Sequence, residues 1–103
     1  MKSYNERHRD LFIIARFHAR KGQEVSVAAT LRAEVRSSQT DPGCLAHEAY
    51  GSTRDSRLFF IQSHWVDEDA FENHVGLPHT IRFAESIQTM IDHELEPIRL
   101  RPI

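Results

Sequence analysis

"RLFFIQSHWVDEDAFENHVGLPHTIRF" runs from Arg57 to Phe83. Its first nine residues are dense in aromatic and branched side chains and read as a strand. Asp67 then suits a helix N-cap, with Glu68 and Asp69 in the positive first turn. That helix carries Ala70, Phe71, His74 and Val75 and stops at Gly76. Pro78 fits the first turn of a second helical piece, whose Phe83, Ile87, Met90 and Ile91 form an apolar stripe. The Leu77-Pro78 break allows His74 and His79 to approach one corner, although five residues on a single helix would not bring them together.

Outward from this stretch, "CLAHEAYGS" (44–52) reads as a strand, and the polar link "TRDS" makes a hairpin with the strand at 57–65. "SSQTDPG" (37–43) is turn chemistry. Before it, Val25, Ala28, Leu31 and Val35 are spaced for an amphipathic helix from Gln23 to about Ser37. "DLFIIARFH" (10–18) is a first strand, and "EPIRLRPI" a last one, alternating Ile98 and Leu100 with Arg99 and Arg101. The order β-α-β-β-α-β is the ferredoxin-like α+β plan, one four-stranded antiparallel sheet with the helices on one face. Residues 1–9 read as a flexible N-terminal arm and 10–103 as a single domain.

Alternation carries a further expectation. Leu11, Ile13, Ala15 and Phe17 point one way and Phe12 and Ile14 the other, while Leu58 and Phe60 oppose Phe59 and Ile61. Both sheet faces are therefore apolar, yet the helices cover one. A bare apolar face of several hundred Å² is rare on a monomer, so a homodimer joined through the second faces is expected.

Composition excludes several classes. The 103 residues are 40% apolar and 27% charged with net charge −2, ordinary for a folded domain. No basic stripe suggests nucleic acid, no apolar run is long enough for a membrane span, and the polar start lacks a signal-peptide core. The single Cys44 forms no intrachain disulfide, and a reducing cytoplasm is the expected compartment. The seven histidines show no HExxH or Cys-His spacing, so no metal site is expected.

Four pieces in fixed order, "PGCLAHEAY", "RLFFIQSHW", "DEDAFENH" and "LPHTIRFAESI", resemble the antibiotic biosynthesis monooxygenase family, especially its quinol-monooxygenase-like members. The resemblance covers about residues 11–102. It implies a dimeric α+β barrel with a cavity between sheet and helices. It also implies oxygen chemistry on quinols, anthrones or related phenols without flavin, haem or metal, molecular oxygen being the co-substrate. Trp65 falls on the family tryptophan that can wall the cavity, His74 and His79 on the two corner histidines, and Tyr50 on the second tyrosine of strand two. Three positions depart from the pattern. Ser63 stands where many relatives have a glutamate, and His47 replaces the first tyrosine of strand two. Leu77 replaces a Thr or Ser that would cap the second helical piece.

A cofactor-free oxygenase needs a proton acceptor, a dry cavity that holds the substrate anion flat, and donors for its oxygen. Histidine, with an ordinary pKa of about 6.5, suits the first task, so His74 and His79 are the catalytic candidates. Trp65 and Phe83 offer flat walls, and Asn73 and Arg82 offer donors. His47 shares a strand face with Leu45 and Ala49, and Tyr50 with Cys44 and Glu48. The two line one cavity only if the strand bulges. His64 shares its face with Gln62 and is expected toward the dimer interface. Competing readings are a ligand-binding dimeric barrel without turnover and an isomerase of a small metabolite. Haem degradation is disfavoured because "FIIARF" lacks the strand-one asparagine of the haem-degrading barrels.

Overall fold

The computed structural model describes residues 9–103; the arm expected over residues 1–9 lies, except for Arg9, outside them. The elements run β1 (Leu11–His18), α1 (Glu24–Ser38), β2 (Cys44–Gly51), β3 (Leu58–Trp65), α2 (Glu68–Val75), α3 (Pro78–Gln88) and β4 (Ile98–Leu100). All strand pairs are antiparallel in the order β2-β3-β1-β4. This is the expected ferredoxin-like α+β sheet, with its second helix divided in two. Asp67 caps α2 by accepting from the Ala70 N–H, and Pro78 opens α3. As Leu77 foretold, α3 has no side-chain cap.

The register places Leu11, Ile13, Ala15 and Phe17 on the helix side, opposite Trp65, Ser63, Ile61 and Phe59 of β3. The core there divides into two clusters. One is built on Phe17, Leu31, Ile61 and Ile87, the other on Leu11, Ile13, Trp65 and Phe71. The second sheet face carries half-buried Phe12, Ile14, Leu58 and Phe60. Ile98 and Leu100 extend it, paired with Ile14 and Phe12 and 55% and 42% exposed. Arg99 therefore faces the helices, where its guanidinium lies over the Phe71 ring and pairs with Glu72 at 2.6 Å. The second face of the single chain thus carries these apolar side chains together with Arg16, Glu48, Gln62 and His64.

Two expectations need correction. The buried stripe of α1 is Val27, Leu31, Glu34 and Ser38 rather than Val25, Ala28, Leu31 and Val35; Val25 is 82% exposed. The burying face ends in polar residues, which a search for apolar spacing passes over. In β2, an extra residue at Leu45 shifts the register between Cys44 and Ala46. This bulge brings Cys44 to the helix side, opposite Trp65, instead of alongside Glu48 and Tyr50. Among the described residues, no helix is long and apolar enough to cross a membrane.

Candidate active site

Between sheet and helices lies a cavity of about 370 Å³. Its walls are apolar over most of their extent: Ile13 and Phe17 from β1, Ile61 from β3, Phe71 from α2, Phe83 from α3 and Leu95 beyond it. Glu34, His47, Ser63, His74 and Thr80 gather at one pole of its surface, and Glu85 also lines it. A pocket of this size and polarity suits a small, largely apolar molecule held by one polar end.

The pole is a network of four titratable groups. His74, only 6% exposed, donates from Nδ1 to Asp41 Oδ2 at 2.7 Å. Its Nε2 lies 4.0 Å from Glu34 Oε2. His79 bridges both carboxylates: Nδ1 donates to Glu34 Oε1 at 2.9 Å, and Nε2 to Asp41 Oδ2 at 2.9 Å. A ring that donates from both nitrogens is an imidazolium.

Burial pushes the His74 pKa down, against the pull of Asp41. For His79 burial also works against the cation, but the hydrogen bonds it donates to Glu34 and Asp41 prevail and the pKa rises. Burial raises the Glu34 carboxyl, and His79 draws it part of the way back. Neutral His74 beside charged His79 is the arrangement these geometries favour. His47 is pushed down to about 4, by burial first and then by the neighbouring His74. Its Nδ1 is buried with no hydrogen-bond partner among the described residues.

The local sequence explains this convergence. Pro42 and Gly43 turn the chain after α1 and bring Asp41 toward α2. Gly43 has φ +80°, and a Cβ there would stand 2.5 Å from that of Ala70, so only glycine fits. The helix break at Gly76–Leu77 then turns α3 back, leaving the His74 and His79 rings 5.7 Å apart. Packing holds His74 in place, since the Trp65 ring lies 4.6 Å and the Phe71 ring 5.9 Å from its own.

The expected site residues divide into three groups. His74, His79, His47 and Phe83 come together around this pole and cavity. Trp65, expected as a wall, is fully buried in a layer behind the cavity, backing His74 and His47. Its Nε1 donates to Ser63 Oγ at 3.0 Å, so Ser63 satisfies the indole. Tyr50, Asn73 and Arg82 do not reach the pole. Tyr50 is on the second sheet face, bonded to Glu48, because the bulge precedes His47 and leaves the two residues opposed. Asn73 and Arg82 lie on exposed helix positions and do not line the cavity. His64 is on the second face, as expected, paired with Asp10 at 2.7 Å and stacked on Phe12.

Sequence reasoning missed Glu34 and Asp41. Asp41 looked like turn chemistry, whereas Glu34 left a faint trace: it stands three residues after Leu31 and seven after Val27, on the buried face. The spacing argument against a metal also fails at this corner. Asp41, His74 and His79 each offer a donor atom within 4.8 Å of the others, because the helix break and a third segment supply what one helix could not.

The sequence profile of the antibiotic biosynthesis monooxygenase family matches residues 10–86. No curated protein matches the chain. Among solved structures, the chain is similar to PA3566 from Pseudomonas aeruginosa, at 28% identity and TM-score 0.84, over 91% of this chain and 94% of that one. An antibiotic biosynthesis monooxygenase structure matches at 20% identity and TM-score 0.84, covering 90% and 98%. SnoaB from Streptomyces nogalater, described as a cofactor-independent oxygenase, matches at 15% identity and TM-score 0.81, covering 91% and 93%.

Proposed function

The chain belongs to the antibiotic biosynthesis monooxygenase family, and we propose that it is a cofactor-independent oxygenase of a small electron-rich aromatic, a quinol or an anthrone. The observation that carries this reading is a buried His74, oriented by Asp41 at 2.7 Å, at the polar end of an apolar cavity. Asp41 holds the Nδ1–H, which leaves the Nε2 lone pair to accept a proton from a phenol or enol. Asp41 and Glu34 then lie close enough to steady the imidazolium that forms.

The resulting anion is electron-rich enough to pass an electron to O2. In an anthrone the reacting methylene becomes a carbonyl, one oxygen atom entering the product and the other leaving as water. Ser63, Thr80 and His47 stand at the same pole to hold the substrate oxygen, while Phe17, Ile61 and Phe83 shelter the radical pair from water. The apolar lining favours an aromatic over a sugar-like metabolite. His79 serves by bracing Asp41 and Glu34. Two copies joined through their second sheet faces complete the proposed barrel, which acts in the cytoplasm.

The test is oxygen consumption by metal-stripped protein with a panel of quinols and anthrones. Uptake above the uncatalysed rate that falls about 100-fold or more in His74→Ala and Asp41→Asn supports the reading, that being the usual scale of general-base catalysis. Rates equal with and without wild-type protein across the panel sink it.

A further inference from the structure

We propose that Asp41, His74 and His79 form a binding site for a divalent transition-metal ion, best matched by Zn2+, and that the bound ion silences the proton acceptor of the cavity. The site itself follows from geometry alone; the silencing rests on the proposed role of His74.

The donor set is the first argument. Two imidazole nitrogens and one carboxylate oxygen, from His74, His79 and Asp41, lie within 4.8 Å of one another, and His74 Nδ1 and His79 Nε2 both approach Asp41 Oδ2. Two histidines and one carboxylate, with a further position left for water or ligand, make a recurrent zinc set, and imidazole selects zinc-like ions over magnesium or calcium. The present separations from Asp41 Oδ2, 2.7 Å and 2.9 Å, are hydrogen-bond lengths. Donors sharing one ion at about 2.0–2.2 Å stand roughly 3.0–3.5 Å apart. Those two separations therefore widen by about half an ångström to admit it.

The surroundings are the second argument. Glu34 Oε1 accepts from the far nitrogen of His79 at 2.9 Å, the carboxylate–histidine support that orients metal-binding imidazoles. Glu34 and Asp41 are buried or nearly so, and among the described residues neither pairs with a lysine or arginine. Among the described residues their charge is balanced only by histidine protons, which a dication can replace. The three ligands come from the turn after α1, the last turn of α2 and the first turn of α3, and Trp65 and Phe71 wedge His74 in place.

The chemical consequence concerns the tautomer. A neutral His74 with its Nδ1 on a metal carries its proton on Nε2. The lone pair that would take the substrate proton is then gone.

Calorimetric titration of the metal-stripped full chain with ZnCl2 tests the site. One ion should bind per chain, and binding should be lost in Asp41→Asn and His79→Ala. Glu34→Gln should weaken it about 10- to 100-fold, the usual effect of removing such a support. His18→Ala and Cys44→Ser, which alter a remote histidine and the single thiol, should leave it unchanged. A rise in wild-type melting temperature with Zn2+ reads the same event without relying on any variant. No heat and no melting shift at millimolar Zn2+, or binding that survives both ligand variants, overturns the site. Loss of binding in Cys44→Ser or His18→Ala overturns it equally.

For the second clause, oxygen uptake should fall on Zn2+ loading and return with chelator; undiminished uptake at saturating Zn2+ overturns the silencing. A chain that binds one Zn2+ but never consumes oxygen keeps the site and loses both the proposed function and the silencing. A chain that consumes oxygen but binds no Zn2+ keeps the function and loses the site.

Discussion

At the scale of single residues, His47 shows stability given up for a site. Its ring is buried, its Nδ1 has no hydrogen-bond partner among the described residues, and its pKa is held down to about 4, by burial first. An unpaired buried nitrogen is costly, and an apolar ring of similar shape removes that cost. His47→Phe is therefore expected to raise the unfolding free energy by about 1 kcal/mol while lowering oxygen uptake, as urea denaturation and an oxygen electrode would show. A loss of stability would mean that His47 has a partner the free chain does not display. Residues of this kind were only partly legible in the sequence. His74 and His79 declared themselves by chemistry at a helix break. Glu34 did not, because a glutamate on a helix is read as solvated until the buried face is known.

At the scale of elements, the turn between α1 and β2 positions the site. Gly43 combines a positive φ with a near-contact on Ala70, and its carbonyl accepts from Val66 N at 2.9 Å. Gly43→Ala adds left-handed strain of about 1–2 kcal/mol and a clash besides. It should lower the melting temperature and displace Asp41 from His74, which loss of activity exceeding loss of fold would report.

The chain beyond α3 is fastened differently, by His18 on β1, whose Nδ1 bonds Asp92 at 2.6 Å. That bond, aided by Arg57, holds the Asp92 carboxyl below its ordinary range despite some opposing desolvation. A carboxyl depressed by folding stabilises above its unfolded pKa, about 3.9, and that contribution is lost as pH falls through the lower folded value. Asp92→Asn should flatten the acid limb of stability between about pH 4 and the lower folded value and leave the neutral side lower throughout. Identical slopes for both proteins in urea unfolding at several acid pH values would remove the clamp.

At the scale of the whole molecule, the unanswered surface is the second sheet face. Phe12, Ile14, Phe60, Ile98 and Leu100 lie on it, interleaved with Arg16, Gln62 and His64. Phe60→Asp should turn the proposed homodimer into monomer on light scattering while the helix-side core stays folded; a monomeric wild type would refute the pairing. The amino-acid sequence by itself determined the order of elements, the broken helix, the Asp67 cap and the two apolar faces, because alternation, capping and proline geometry are local properties of the chain. Only the tertiary structure decided which face of α1 is buried, that the β2 bulge falls before His47, which returns Cys44 to the core and leaves Tyr50 off the cavity, and that Asp41 and Glu34 meet the two histidines. Those outcomes depend on packing between segments dozens of residues apart, and short-range periodicity carries no record of such contacts.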